Sequence, residues 1–443
     1  MPYILYNIYS SPPCLMVRML AKHIGVDLEL KNVNTSKDEH RTPEYQKINP
    51  FQKLPTLSDD GFILYESLAI CYHLLRKHAP DSELYPTCIK ARARVDQALA
   101  TVVSTIQPHF LKFMGPFLDA EKYPKLKAYY NRIKAVLPYF DEINQPGITS
   151  LRMCWAHLNP LSALGKDREG ARGSWGRRNL RRPAFVSTPA QFEFDDSCAI
   201  TLRGKKTVRR IQTPSFLNGT CGSNIATMAI TLYNLHRSPP CCFIRSLAKH
   251  LGIELNLKDL NFATKEHFSE DYLKINPFHK VPAIDDDGFV VYESNAIAYY
   301  LLRKYAPESD LYPTCIKTRT RIDQILACAS STIHNHSVVF VRPRVWCNSK
   351  PTDEEVRAFE EDVVRGLEHL IGEGKFAVGD KLTLADLALT AHLSLAIEND
   401  SVCCGKFPRL ASYYERVKYE LPYFEEIYRP AINHFKQLWA NLE

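Results

Sequence analysis

The feature that most constrains this chain is an internal repeat. A shift of 227 positions carries Ser11-Pro12-Pro13-Cys14 onto Ser238-Pro239-Pro240-Cys241 and Lys47-Ile48-Asn49-Pro50-Phe51 onto Lys274-Ile275-Asn276-Pro277-Phe278. It also carries Tyr65-Glu66-Ser67 onto Tyr292-Glu293-Ser294. Of the 95 positions from 3 to 97, 55 are identical, without a gap. One structural unit therefore occurs twice, and any account of the fold must build it twice. Met1 falls on Met228, which points to a head-to-tail fusion. Further on the register changes: Lys134 to Ile143 matches Lys418 to Ile427 at a shift of 284, so copy one lacks 57 residues, opposite roughly Arg344 to Asp400 of copy two.

The net charge of +7 is unevenly spread. Residues 151–227, which have no counterpart in the repeat, hold 13 Lys/Arg against 5 Asp/Glu, an excess of 8 that leaves the rest of the chain at −1. The repeated parts thus carry no basic footprint for nucleic acid. The basic segment, with Arg177-Arg178, Arg181-Arg182 and Lys205-Lys206, reads as a disordered linker. At 443 residues the chain is long enough for two to three domains. No apolar run approaches the ~18 residues of a membrane helix. The N-terminus opens on a strand-like Tyr3-Ile4-Leu5-Tyr6 rather than on a secretory leader. The thirteen scattered cysteines are read as reduced thiols of a cytoplasmic protein.

Each copy shows the order strand, helix, strand, helix, two strands, helix, then helices alone. In copy two the strands are expected at 230–234, 255–261, 282–284 and 289–292, the last two pairing around Asp286-Asp287-Gly288. Helices are expected at 241–251, 269–275 and 294–304. Thr383-Leu384-Ala385-Asp386 opens a further apolar run as a capping box with Asp in place of Glu. His334-Asn335-His336 is read as a solvated loop, and neither it nor Cys403-Cys404 has the partners of a metal site.

A strand, then Ser-Pro-Pro-Cys, then a helix, later Asn-Pro-x-x-x-x-Pro and Glu-Ser, resembles the cytosolic glutathione transferases, the arthropod delta and epsilon classes above all. The resemblance covers copy two throughout and copy one apart from the gap. It implies an α/β thioredoxin-like domain followed by an all-α domain, repeated twice with the first copy incomplete: 1–80 and 87–148 in copy one, a linker over 149–227, and 228–307 and 314–443 in copy two.

The resemblance also implies roles. Ser238, and Ser11 in copy one, would hydrogen-bond the glutathione sulfur where the positive end of a helix favours a thiolate. Cys241 and Cys14 would be buried structural thiols. The bonds Val281-Pro282 and Leu54-Pro55 would be cis and present backbone to the tripeptide as an added strand. Ser294 as N-cap, with Ser67 its counterpart, would bind the γ-glutamyl carboxylate, and Glu293 and Glu66 the amine. His267, His279 and Lys280, matched by His40, Gln52 and Lys53, would face the glycyl carboxylate. The Arg common after Glu-Ser in the delta class is Asn295 here and Leu68 in copy one. The expected partners are glutathione as co-substrate and a small hydrophobic electrophile bound around 330–345 and 435–439. The implied assembly is a homodimer or an intramolecular pseudo-dimer, with no metal, nucleic acid or membrane. The function implied is conjugation in detoxification. The alternatives are a non-catalytic binding or structural protein of the same fold, and a glutathione-dependent isomerase or peroxidase.

Overall fold

A computed structural model describes residues 3–107, 124–146, 229–398 and 404–443. The linker expected over 149–227 lies outside them.

Each copy builds a four-stranded mixed sheet. In copy one β1 (Tyr3–Asn7), β2 (Leu28–Asn32), β3 (Thr56–Asp59) and β4 (Phe62–Tyr65) lie in the order β2-β1-β3-β4. The β1–β2 pair is parallel, crossed over by α1 (Pro12–His23), while β3 and β4 run antiparallel. The chain then passes from α2 (Pro43–Ile48) through β3 and β4 to α3 (Ser67–His78) and α4 (Ile89–Thr101). An isolated α5 (Pro124–Val136) follows.

Copy two repeats the plan with β5 (Ile230–Asn234), α6 (Pro239–His250), β6 (Leu255–Asp259), α7 (Glu270–Ile275), β7 (Ala283–Asp286), β8 (Phe289–Tyr292) and α8 (Ser294–Tyr305). Register repeats too: Leu5 faces Leu57 as Leu232 faces Ile284. Alternation places Leu5, Leu57 and Leu64 inside one sheet and Leu232, Ile284 and Val291 inside the other, all fully buried. Gly61 and Gly288 sit at positive φ in the hairpin turns, a conformation glycine adopts without cost. The thioredoxin-like halves are therefore as expected, with strand ends shifted by a residue or two.

The helical half of copy two contains α9 (Ile316–Cys328), α10 (His334–Cys347), α11 (Asp353–Phe359), α12 (Arg365–Leu370), α13 (Leu384–Ile397), α14 (Pro408–Glu420), α15 (Phe424–Ile427) and α16 (Arg429–Ala440). Helix α13 is its centre. Leu384, Ala385, Leu387, Leu389 and Leu393 are fully buried, so this helix has no solvent face for most of its length. Its capping box is complete: Thr383 N–H donates to Asp386 Oδ2 at 2.7 Å. Asp386 Oδ1 also accepts from Ala377 N–H at 2.8 Å and Tyr413 O–H at 2.7 Å. That wholly buried carboxylate ties three segments together.

The two copies pack face to face with near two-fold symmetry: α3 lies on α9, and α8 on α4. Arg76 pairs with Asp323, and Arg303 with Asp96, each at 2.5 Å with an almost fully buried carboxylate. Tyr72 and Tyr85 donate to Asp96, and Tyr299 and Tyr312 to Asp323. Tyr65 N–H donates to Gln324 Oε1 and Tyr292 N–H to Gln97 Oε1, the same bond made in both directions. Tyr65, Leu68, Tyr72, Ala93 and Val103 of copy one belong to the main apolar core of copy two. The Phe51 ring enters so closely beside Gly366 that a Cβ there would meet it at 2.6 Å.

Copy two stands in for part of what the deletion removes. The helix after Lys90 has no core helix of its own copy to pack on, and Ala93, Asp96, Gln97 and Ala100 are buried because copy two covers them. Only α5 is left without a buried residue, with Leu126, Tyr129, Tyr130 and Val136 exposed.

Candidate functional site

In copy two the turn before α6 brings Ser238 to the helix N-terminus in an extended conformation, with Pro239 and Pro240 in the first turn. Pro is favoured there because its missing N–H would have had no partner. The turn is held from behind by buried Arg245, which donates to the carbonyls of His236 (3.1 Å) and Ile427 (3.0 Å). The Ser238 hydroxyl makes no capping bond. In copy one the Ser11 hydroxyl does, accepting from Cys14 N–H at 3.4 Å. Cys241 is fully buried, and burial pushes its thiol up to about 12, the Ser238 hydroxyl opposing this in part. Burial likewise raises Cys14. Both are inert thiols at neutral pH, as expected.

Both Val281-Pro282 and Leu54-Pro55 are cis. Glu293 and Glu66 occupy the cap position at positive φ, and Ser294 and Ser67 are the first helical residues. Ser294 is therefore not the N-cap the spacing predicts; the turn from β8 ends one residue earlier, on glutamate. Burial pushes Glu293 above the usual carboxylate range, against the pull of Lys280 and of hydroxyls from copy one. Ser104 O–H donates to Glu293 Oε2 at 2.9 Å, and Lys280 Nζ donates to Thr105 Oγ1 at 2.8 Å. The mirror-image bonds are made too: Ser331 O–H of copy two donates to Glu66 Oε2 at 3.1 Å, and Lys53 Nζ of copy one donates to Thr332 Oγ1 at 2.8 Å. Each half-site is thus completed by the other copy.

Lys280, Val281, Pro282, Glu293 and Ser294 share one cleft with Pro240, Phe243 and Ser104. Its far wall comes from the helical half: Ala329, Ser330, His334, Ala388 and His392. Ser238, His267 and His279 are not among the lining residues, although Pro240, two places after Ser238, is. His267 stacks on Phe262 (centroids 4.1 Å apart) and touches Phe268, which also packs on His279 at 4.5 Å. Burial holds both imidazoles below their ordinary range, so at neutral pH they offer neutral donors rather than positive charge. Nδ1 of His267 and of His40 is buried without a hydrogen-bond partner. Gln52, like His279, lies at positive φ.

Asn295, where the delta class commonly has Arg, donates from Nδ2 to Leu326 O at 3.0 Å and Ser330 Oγ at 3.3 Å. Two expectations change. His334 is not in a solvated loop: it opens α10 and lines the cleft, while His336 pairs with Asp362 at 3.3 Å. The segment 435–439 does not reach the cleft; Phe435 is buried and Trp439 packs toward Phe340. No sequence signal marked His392, an isolated histidine in an apolar run.

A family model for the glutathione S-transferase N-terminal domain matches residues 1–76 and again 228–303, and one for the C-terminal domain matches 349–422. Together they span just over half of the chain.

The chain belongs to the glutathione S-transferase family.

Within it, this glutathione S-transferase carries two N-terminal domain matches against a C-terminal match in copy two alone. It is similar to solved structures of a delta-class glutathione transferase from Nilaparvata lugens (28% identity, 48% of this chain and 100% of that one, TM-score 0.45). It is also similar to a Bombyx mori glutathione transferase (28%, 48% and 98%, TM-score 0.45). An epsilon-class glutathione S-transferase from Musca domestica matches at 27% identity over 48% of this chain and 97% of that one, TM-score 0.45. No helix among the described residues is long and apolar enough to cross a membrane, and no group of three or more His, Cys, Asp or Glu there could hold a metal ion.

Proposed function

We propose that the chain is a working glutathione transferase whose copy-two cleft conjugates the glutathione thiolate to small hydrophobic electrophiles, in cytoplasmic detoxification. The observation that carries this reading is the cleft itself. One wall gathers Lys280, Val281, Pro282, Glu293 and Ser294, and the opposite wall is helical. Ser238, whose hydroxyl makes no capping bond, stands two residues from that cleft, at the start of α6.

In this reading the γ-glutamyl ammonium sits on Glu293. Its charge would draw a carboxyl lifted by burial back to its ionised form. The γ-glutamyl carboxylate takes the free N–H groups at the start of α8, beside Ser294. The cis-proline backbone pairs with the peptide, and Lys280, His279 and His267 receive the glycyl end. Ser238 donates to the sulfur. A thiol with pKa near 8.5 is about 3% ionised at pH 7, so a drop of about two units makes the thiolate dominant. Proximity in the cleft does the rest.

We further propose that the domains run 1–80, 87–148, 228–307 and 314–443, and that the face used by copy one against copy two replaces a homodimer interface. A second reading, a binding protein that has lost turnover, is favoured by Asn295, which lines the cleft where the delta class commonly has Arg and whose amide donates to Leu326 O. Retention on a glutathione column followed by a thiol-conjugation assay separates the two. Binding with turnover supports the enzyme, and binding without it supports the alternative.

A further inference from the structure

The cleft's far wall carries two side chains that the proposed thiolate chemistry does not use. His334 begins α10, and His392 lies midway along α13. Their rings meet edge to face with centroids 5.7 Å apart. Both line the cleft, across from Lys280, Val281 and Glu293. Nδ1 of His392 is buried and has no hydrogen-bond partner. The other polar groups near them on that wall are already committed: Ser330 O–H donates to the carbonyls of Leu326 and Ala327, and Asn295 to Leu326 O and Ser330 Oγ. The imidazoles are what this wall offers to a ligand.

Their protonation state limits the kind of ligand. Burial takes His334 down to about 4 and His392 to about 3, with the positive charges of Lys280 and Arg342 pushing His334 the same way. Near pH 7 both rings are neutral, each with one N–H donor and one bare nitrogen. A neutral pair neither attracts a carboxylate nor supplies a proton readily. It can donate a hydrogen bond to an uncharged oxygen and keep donating as that oxygen gains charge.

We propose that His392, with His334 packed against it, is a specificity-determining site for the second substrate, selecting electrophiles whose reacting carbon is conjugated to a carbonyl oxygen. The inference rests on the conjugation reading above. The glutathione sulfur forms its bond to the β-carbon. The carbon–carbon π pair moves toward the α-carbon, and the carbonyl π pair moves onto oxygen as an enolate. The imidazole N–H donates to that oxygen without surrendering its proton. Water supplies the proton that ends on the α-carbon, the thiol proton having left to water when the thiolate formed. No oxidant, reductant or metal enters.

The test compares two acceptors of similar size on the full chain: 4-phenyl-3-buten-2-one, with its carbonyl, and benzyl chloride, which has no oxygen. His392→Phe keeps the ring and removes the N–H. The ratio of kcat/KM for the enone to that for benzyl chloride should fall by about 10- to 100-fold, in the range seen when one donor to a developing oxyanion is removed. His392→Gln, which restores a donor, should recover part of it. An unchanged ratio, with both acceptors falling together, would overturn the proposal in favour of a packing role. A second readout does not depend on turnover: the histidine Cε1–H resonances of the chain followed as the unreactive ketone 4-phenyl-2-butanone is added. Shifts at His392 and His334 are expected even if the enzyme reading fails and neither acceptor reacts. Resonances that stay in place at saturating ketone overturn the site by themselves.

Discussion

The two copies start from nearly the same glutathione half and end with different sites. Copy one has Ser11, Leu54-cis-Pro55, Glu66 and Ser67 in the same register as Ser238, Val281-cis-Pro282, Glu293 and Ser294. Yet Ser67 is buried where Ser294 lines the cleft, and Leu68 packs into the apolar core where Asn295 reaches a carbonyl. The Ser11 hydroxyl accepts a capping bond from Cys14 N–H, and the Ser238 hydroxyl makes no such bond. The helices that wall the cleft of copy two have few counterparts in copy one, because the deleted 57 residues include the equivalent of α13. Copy one also reaches into the cleft of copy two through Ser104 and Thr105.

The sharpest break of that comparison is at the shared face. Asp96→Ala, a change in copy one, leaves Arg303 of copy two buried without its anion and should cost about 3–5 kcal/mol. Urea unfolding of the full chain, followed by fluorescence and by conjugation activity, should show copy two losing stability. If copy two unfolds at its wild-type midpoint, the copies are merely tethered.

Next in size are the paired lysines. A charge-assisted hydrogen bond contributes roughly 1.5–3 kcal/mol, so Lys280→Met should raise the KM for glutathione about 10- to 100-fold. Lys53→Met should leave it within about twofold, on the same magnitudes, if the working site is the copy-two cleft. Equal effects would give both copies a working site.

The third difference is in acid. His334 and His392 belong to copy two; position 107 of copy one is Gln, and the counterpart of 392 is deleted. Their folded-state values, about 4 and about 3, lie below the ordinary 6.5. The unfolded chain therefore takes up more protons than the folded one as pH falls below 6.5. The stability they contribute is complete above pH 6.5 and drains away toward pH 4 and then 3. Melting temperature between pH 7.5 and 4.5 should fall in the wild type by about 2 °C or more beyond its fall in His392→Phe, given ~2–4 °C per kcal/mol for a unit of roughly 150–250 residues such as copy two. Parallel curves would contradict this assignment.

The smallest effect is at the capped helix that copy one lacks. Thr383→Ala removes one member of the box, and the expected loss is ~1 kcal/mol in a melt of the full chain. A loss near zero would mean that Asp386 alone holds the turn.

The repeat made much of this legible in the sequence. Alternation and the Asp286-Asp287-Gly288 turn located β7 and β8, Ser-Pro-Pro located α6, and Thr383 with Asp386 located α13, because each is a local rule acting over a few residues. What local rules do not reach is who covers whom. The helix after Lys90 shows this, since the residues that bury Ala93 and Asp96 lie some two hundred positions away in copy two. His334 looked solvated because its neighbour His392 is brought to it only when α10 and α13 pack. The cap at Glu293 was displaced by one residue from the Ser expected, since a non-glycine at positive φ is a property of the folded turn and leaves no mark in composition.

The central claim is that thiolate chemistry resides in copy two alone, and paired serine variants test it most directly. Single-turnover conjugation at saturating glutathione should fall by about one to two orders of magnitude in Ser238→Ala, since a hydrogen bond to a charged group contributes roughly 1.5–3 kcal/mol and the rate follows it tenfold per 1.4 kcal/mol. In Ser11→Ala it should match the wild type, with glutathione still bound in both. Equal losses in the two variants, or none in Ser238→Ala, would contradict the account.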